Sequence, residues 1–132
     1  MPQFRVVPSV KFEVFFPATY TDPTDPTGTP QYVQVAEIIE YLREITVRYG
    51  GYTVSNPYAP PPYSGGYQGG PEERNFWAMI VVADDQLRLA VHDVQQMVSF
   101  FQEKYHQEEI LCYYHHVNRY VPERPDVPER SS

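Results

Sequence analysis

Every second residue of the segment 9–16 is apolar, and most of the residues between them are polar. This alternation is typical of a β-strand that is buried on one side only. The predicted buried side carries Val10, Phe12, Val14 and Phe16, and the opposite side carries Ser9, Lys11, Glu13 and Phe15. Pro17 ends the predicted strand, because proline has no N–H to donate to a neighbouring strand.

Two longer segments repeat their apolar residues every three or four positions, which predicts two amphipathic helices. The first spans roughly 18 residues; it begins at Thr29-Pro30 and ends at Gly50-Gly51, where glycine accepts a left-handed conformation cheaply. The second helix begins after Asp84-Asp85, a pair predicted to cap it. The apolar stripes are Val35, Ile38, Ile39, Leu42, Ile45 and Tyr49 in the first helix, and Leu87, Val91, Val94, Val98, Phe101 and Tyr105 in the second.

Three further segments, residues 52–55, 76–82 and 110–117, have the apolar character of strands. The resulting order is βαββαβ. It predicts an α+β, ferredoxin-like domain over residues 1–120, with a four-stranded antiparallel sheet and two helices on one face.

Three proline-rich segments interrupt or follow this pattern. An insert at about residues 56–73 is rich in proline, tyrosine and glycine, and a connection of this length in a small domain is usually functional or disordered. It supplies Tyr58, Tyr63 and Tyr67 as candidate binding residues. Residues 19–30 repeat Asp-Pro-Thr and predict a turn-forming loop. Residues 121–132 repeat Val-Pro-Glu-Arg and predict a disordered polar tail.

Short motifs at the end of the first predicted helix and before the last predicted strand resemble those of a known group of proteins. The first predicted helix ends in Tyr49-Gly50-Gly51, and Gln107-Glu108 precedes the last strand. In these features the chain resembles a group of small, uncharacterised bacterial proteins with a ferredoxin-like fold, over about residues 9–120. Those proteins have a short loop ending in Gly-x-Trp where this chain has the long insert. The resemblance implies the fold and no activity.

The topology alone is also similar to that of the PII-type signalling proteins, which carry a long loop between their second and third strands. The insert falls at the same place. No residue motif of their nucleotide-binding loops is present, so no site residue carries over.

The charge of the chain argues against nucleic acid as a partner. The formal net charge is −7, and no stripe of Lys and Arg interrupts the acidic balance. A single cysteine, Cys112, excludes an internal disulfide and fits a reducing compartment. No run approaches the roughly 18 apolar residues of a membrane span. The sequence therefore predicts a cytoplasmic protein without membrane or nucleic-acid partners.

The candidate catalytic groups are His92, His115 and His116. Adjacent residues of a strand point to opposite faces, so His115 and His116 do not chelate one metal together. The glycine pairs Gly65-Gly66 and Gly69-Gly70 precede a strand, whereas phosphate-binding loops lead into a helix. The sequence predicts no metal and no cofactor.

Some aromatic residues of the predicted strands alternate with the core residues, so they should lie on the face of the sheet opposite the core. Phe15, Trp77 and Tyr113 belong to it, and an exposed aromatic face is typical of a subunit interface or a ligand pocket. We therefore predict a homo-oligomer with Trp77 and Tyr113 among its binding residues. The protein would be a non-catalytic binding or regulatory module that contacts a protein or small molecule through residues 57–70. One alternative is a small oligomeric enzyme for hydrophobic or aromatic molecules with a histidine base; another is a purely structural subunit.

Overall fold

The structure, a computed structural model, describes residues 3–55, 63–65 and 73–123, and for residues 63–65, 73 and 74 it describes the backbone alone. Seven strands and two α-helices occur in this part of the chain. In chain order they are β1 (Phe4–Pro17), β2 (Thr19–Thr21), β3 (Pro30–Tyr32), α1 (Val35–Thr46), β4 (Thr53–Val54), β5 (Tyr63–Gly65), β6 (Glu73–Ala83), α2 (Leu87–Lys104) and β7 (Leu111–Pro122).

The main sheet is antiparallel throughout, and the fold is mixed α+β. Its strands lie in the order β4-β6-β1-β7, so that β1 is central and pairs with both β6 and β7. The short strand β5 pairs with β6 on a stretch next to the one that β4 occupies. The strands β2 and β3 form a separate hairpin.

The alternation predicted for β1 is confirmed by burial. Its apolar positions lie opposite those of β6, and both sets are buried; the pairs are Val10–Val82, Phe12–Ile80, Val14–Ala78 and Phe16–Phe76. The buried residues of both helices belong to the same core. The rings of Phe16 and Phe101 meet edge to face with centroids 5.6 Å apart, which packs α2 against this side of the sheet.

The predicted start of the first helix at Thr29-Pro30 is wrong, because those residues close the β2–β3 hairpin. Each Asp-Pro-Thr repeat folds on itself: the N–H of Thr24 donates to Asp22 Oδ1 at 2.8 Å, and that of Thr27 to Asp25 Oδ1 at 2.9 Å. Such local bonds favour turns over helix. The helix α1 therefore begins at Val35.

A side chain from the other helix stabilises the start of α1. The hydroxyl of Tyr105 accepts the Gln34 N–H at 3.2 Å and donates to Glu37 Oε2 at 3.3 Å. Burial raises the pKa of Tyr105 to about 12, so this hydroxyl stays protonated. The Lys104 ammonium also pairs with Glu37. The end of α2 is thereby fixed to the start of α1.

The predicted cap of the second helix is also wrong. Asp84 and Asp85 form a 3-10 turn over Asp84–Gln86, and α2 begins at Leu87 without a hydrogen bond from a capping side chain. The Asp84 carboxylate instead lies 3.4 Å from His116 Nδ1. The helix gains its position from its buried stripe rather than from a cap.

Both β1 and β7 are longer than their alternation predicts. Among the described strands, residues 4–8 pair with residues 118–122 of β7 and not with β6, since β6 ends opposite Ser9. This two-stranded extension includes residues 121 and 122, the first of the predicted tail, while residues 124–132 lie outside the described residues. Of the predicted insert, residues 56–62 and 66–72 lie outside them as well.

Two neighbouring phenylalanines test the core assignment. Phe101 is fully buried, whereas Phe100 is 48% exposed. We expect Phe101→Ala to lower the free energy of unfolding by about 3–5 kcal/mol, the usual cost of removing a buried ring. The matched control Phe100→Ala should cost less than about 1 kcal/mol. Urea denaturation followed by circular dichroism measures both, and equal costs would contradict the packing described.

Candidate functional site

The side of the main sheet opposite the core is its open face. In the part of the chain that the structure describes, neither helix packs against this side. Strand register places nine residues of the three long strands on it: Lys11, Glu13 and Phe15 of β1, Trp77, Met79 and Val81 of β6, and Leu111, Tyr113 and His115 of β7. The six on β1 and β6 are half-buried. Phe15, Trp77 and Tyr113 share this face, as the phase of the sequence predicts.

A carboxylate lies at the centre of the open face. Glu13 Oε1 accepts the indole N–H of Trp77 at 3.1 Å, and the Lys11 ammonium lies 3.5 Å from the same oxygen. Tyr113, directly opposite on β7, also donates a hydrogen bond to Glu13. The Glu13 side chain is only 13% exposed. The strand β1 thus presents a nearly buried charge whose partners come from three strands.

The hydrogen bonds keep this carboxylate ionised. The bond from the Tyr113 hydroxyl is the largest influence and holds the pKa of Glu13 below its usual value; the indole of Trp77 and the Lys11 ammonium act in the same direction. Desolvation opposes them but does not prevail. Glu13 therefore remains an anion at neutral pH, and it can accept a further hydrogen bond from a molecule that lies against the face.

Aromatic rings flank Glu13 on the β7 side. The ring of Tyr113 stacks on Phe15 with centroids 6.3 Å apart and on His115 at the same distance, with interplanar angles of 29° and 24°. These near-parallel rings form a flat surface beside a fixed charge. Such a surface suits apolar or aromatic contact with a directional polar anchor.

Sequence reasoning did not single out Glu13. The alternation places it on the polar side of the first strand, where a glutamate is unremarkable. A weak signal exists in the sequence, since Glu13 lies two residues from Phe15, an aromatic on the same side. Its partner Trp77 lies 64 residues away in the chain. Only the strand register brings these two side chains together.

A concavity lies at one margin of the open face. It has a volume of about 300 Å³ and is lined by Tyr49, Gly50, Gly51, Tyr52, Thr53, Met79, Val81 and Arg119. The turn at its edge requires glycine, because φ is +101° at Gly50 and +142° at Gly51. The volume is at the lower end of the range for ligand pockets.

The Tyr49 hydroxyl is not free to serve a ligand in this concavity. It donates to Asp93 Oδ2 at 2.7 Å, and burial raises the pKa of Tyr49 to about 12. The hydroxyl fixes the end of α1 to α2 instead.

The three candidate histidines do not face one common site, and all are exposed. His92 lies on α2 and His115 on the open face, while His116 points to the opposite side of β7 and contacts Asp84. Among the described residues, no three His, Cys, Asp or Glu side chains are grouped as metal ligands. Burial raises the pKa of Cys112 to about 11, so its thiol is a poor nucleophile at neutral pH.

The candidate tyrosines of the insert are described only in part. Tyr58 and Tyr67 lie outside the described residues. The backbone of Tyr63 begins β5 and lies opposite Asn75 of β6, two residues before Trp77. The structure therefore brings Trp77 and Tyr113 together around Glu13. Of the three loop tyrosines, it describes only the backbone of Tyr63, which lies on the edge of the sheet beside β6.

The chain matches no protein-family model, no curated protein and no solved structure. The resemblances drawn from its short motifs therefore stay predictions. Within residues 3–55, 63–65 and 73–123, no helix is both long enough and apolar enough to cross a membrane.

The role of Glu13 can be tested by its charge. Its pKa is lower in the folded than in the unfolded chain, so the stabilisation is complete above the ordinary value of 4.5 and is lost as the pH falls through the folded value. Glu13→Gln should lower the free energy of unfolding at pH 7 by about 1 kcal/mol. It should also flatten the loss of stability below pH 4.5.

Urea denaturation at a series of pH values measures this dependence. The matched control is Glu40→Gln on the exposed side of α1, which should change the stability at pH 7 by less than about 0.5 kcal/mol. An acid limb of the same slope in Glu13→Gln and the wild type would show that the cluster around Glu13 does not form.

Proposed function

We propose that this protein is a non-catalytic binding or regulatory module that associates with a second copy of itself through the open face. The observation that carries the proposal is the cluster of Glu13, Trp77 and Tyr113: an ionised carboxylate held by two aromatic donors, on a sheet face that neither described helix covers. A flat aromatic surface with a fixed charge is suited to recognition, and contiguous apolar patches of this kind mark interfaces.

The charges of the face support a second copy as the partner. Lys11 and Glu13 are neighbours on the same side of β1. In a copy related by a twofold axis that lies between the two faces, perpendicular to β1 and level with the midpoint between Lys11 and Glu13, Lys11 would lie near Glu13 of the first copy, and the reverse contact would form at the same time. Interfaces with twofold symmetry are self-complementary in this way. The aromatic rings around Glu13 would supply the apolar contact.

We also propose that the domain is a ferredoxin-like variant. When the four strands of the βαββαβ pattern are numbered 1 to 4, they correspond to β1, β4, β6 and β7. The observed sheet order then becomes 2-3-1-4, in which strands 1 and 3 are the central pair. This order supports the assignment. The β2–β3 hairpin and the split edge of β4 and β5 would be additions to it.

The insert is proposed to add contacts at the edge of this face. The strands β4 and β5, which precede and interrupt it, both pair with β6 on the edge opposite β7. Ser55 and the segment Tyr63–Gly65, which precede and interrupt the insert, therefore lie beside the strand that carries Trp77. This supports a role for Tyr58, Tyr63 and Tyr67 in contacts made by the open face.

The enzyme alternative would require one of the candidate histidines in an enclosed pocket. His92, His115 and His116 are all exposed, and none of them lines the concavity beside Gly50. No observation on the described residues favours this alternative over a binding module.

A charge placed in the open face should disrupt the association. Met79 lies directly opposite Glu13, so Met79→Glu would add a like charge and a desolvation cost at a face-to-face contact. We expect the dissociation constant to rise at least about tenfold. The matched control is Leu89→Glu on the exposed side of α2, which should leave it unchanged. Sedimentation equilibrium measures both, and equal behaviour of the two variants would exclude the open face as the contact.

The loop tyrosines can be tested without altering the length of the insert. The triple substitution Tyr58→Ser, Tyr63→Ser and Tyr67→Ser removes the rings and keeps the chain. We expect the free energy of unfolding to change by less than about 1 kcal/mol, while the association weakens at least about threefold. A large loss of stability with unchanged association would assign these tyrosines to the fold instead.

A further inference from the structure

The strand β7 forms one edge of the main sheet and is 12 residues long. It pairs with β1 along its whole length, and no other strand of the described residues pairs with it. The opposite edge of the sheet consists of β4, with two residues, and β5, with three. The described part of the sheet therefore has one long edge, and no described strand pairs with its outward side.

This edge carries few of the features that usually keep edge strands apart, since Arg119 is its one residue among Lys, Arg, Asp and Glu and its one proline is the last residue, Pro122. Residues 111–121 contain no proline and no lysine, and residues 111–122 contain no acidic residue although the chain has a net charge of −7. Charges and prolines are the common means by which soluble proteins prevent edge-to-edge pairing. Large side chains are exposed along the strand instead: Leu111, Tyr113, Tyr114 and Tyr120. The edge is suited to pairing with another strand.

The sequence of this strand is complementary to itself about Tyr114. In an antiparallel pair of identical strands centred on that residue, positions equally distant from it lie opposite each other. Tyr113 would then face His115, Leu111 would face Val117, and Glu109 would face Arg119. All six residues have the same parity along the chain, so these pairs would fall on the open face. Stacking, apolar and ionic pairs would form in one register.

We propose that β7 pairs with β7 of a second copy, antiparallel and about a twofold axis at Tyr114, to give one continuous sheet that contains the five described strands of each copy. The paired segment would run from Glu109 to Arg119. Opposite-charge pairs directly across two strands are stabilising, and like-charge pairs are destabilising. In this register the ionic pair of Glu109 with Arg119 occurs twice, once on each side of the axis.

Charge complementarity favours a second copy over a strand of another protein. Arg119 is exposed, and it makes no ion pair with any residue that the structure describes. Glu109 lies two residues before β7 and is exposed as well. A strand of unrelated sequence would match these two positions only by chance, whereas a second copy supplies both partners by symmetry.

The edge contact does not depend on the open-face contact of the proposed function. The two contacts share Leu111, Tyr113 and His115, but the edge contact depends on the outward backbone groups of β7, whereas the open-face contact depends on the side chains of β1 and β6. The experiment is therefore performed in the Met79→Glu background, where the open-face contact is weakened. The two proposals then fail in different ways. If the edge contact does not form, the Met79→Glu protein is a monomer. If the open-face contact does not form, Met79→Glu leaves the dissociation constant of the wild type unchanged.

Charge reversal and mixing test the pairing directly. Arg119→Glu alone and Glu109→Arg alone each place two like-charge pairs in the dimer, and we expect each to raise the dissociation constant at least about tenfold. An equimolar mixture of the two variants should restore the dimer, because the mixed pair has opposite charges at both positions. Sedimentation velocity at about 100 µM, a concentration suited to micromolar affinity, measures all three samples.

The outcomes are decisive in both directions. Dissociation of each variant with recovery in the mixture supports the edge pair. A Met79→Glu protein that remains a monomer at about 100 µM overturns it and leaves the edge to another strand. A dimer that tolerates both reversals also overturns it, because its contact then lies elsewhere.

A cysteine on the axis tests the register. Residues directly opposite in an antiparallel pair have Cβ atoms about 4.5–5.5 Å apart, close enough for a disulfide with small adjustment. In a Cys112→Ser background, Tyr114→Cys should form a disulfide-linked dimer under oxidised glutathione. The control His92→Cys, on the exposed side of α2, should remain largely unlinked. Equal cross-linking of the two variants on non-reducing gels would overturn the register.

Discussion

The strict alternation of β1 is the constraint on which the rest of the structure depends. Its even-numbered residues from Val10 to Phe16 are buried at 2% exposure or less, and the strand pairs with β6 on one side and β7 on the other. Because side chains alternate, burying this set forces Lys11, Glu13 and Phe15 onto the opposite face. A slip of one residue would expose the core and bury the charges. The core and the candidate site are thus fixed by one register.

This shared register explains why the charged Glu13 lies on a largely apolar face. Glu13 cannot leave the open face without disturbing the core residues beside it. Hydrogen bonds from the neighbouring strands therefore offset the free-energy cost of desolvating its carboxylate. Tyr113 and the indole of Trp77 donate those bonds, and both also contribute aromatic surface. The same side chains therefore satisfy the carboxylate and shape the surface that surrounds it.

The periodicity of apolar residues predicted the strands and helices that bury every second residue or one helical face. It failed where local hydrogen bonds or strand pairing determined the structure. The core sides of β1, β6 and α2 follow directly from apolar spacing. The start of α1 does not, because the Asp22 and Asp25 carboxylates hold their own turns and commit the residues up to Pro30 to a hairpin. The extension of β1 and β7 has little alternation and follows only from their mutual pairing. Glu13 could be assigned a face from the sequence, but its contact with Trp77 depends on which strands are neighbours.

The unequal edges of the sheet have a consequence for solubility. A sheet with two long pairable edges can add copies at both ends without limit, which is the geometry of fibrils. Among the described residues, the edge opposite β7 is divided into β4, with two residues, and β5, with three, and residues 55–62 separate them in the sequence. The proposed strand pairing at β7 would occupy the one long edge of each copy's described sheet, so a third copy would find no second long edge to pair with. The divided edge would thus stop the addition of further copies by strand pairing. The exposed aromatic side chains of β7 would then not lead to open-ended assembly through its edge.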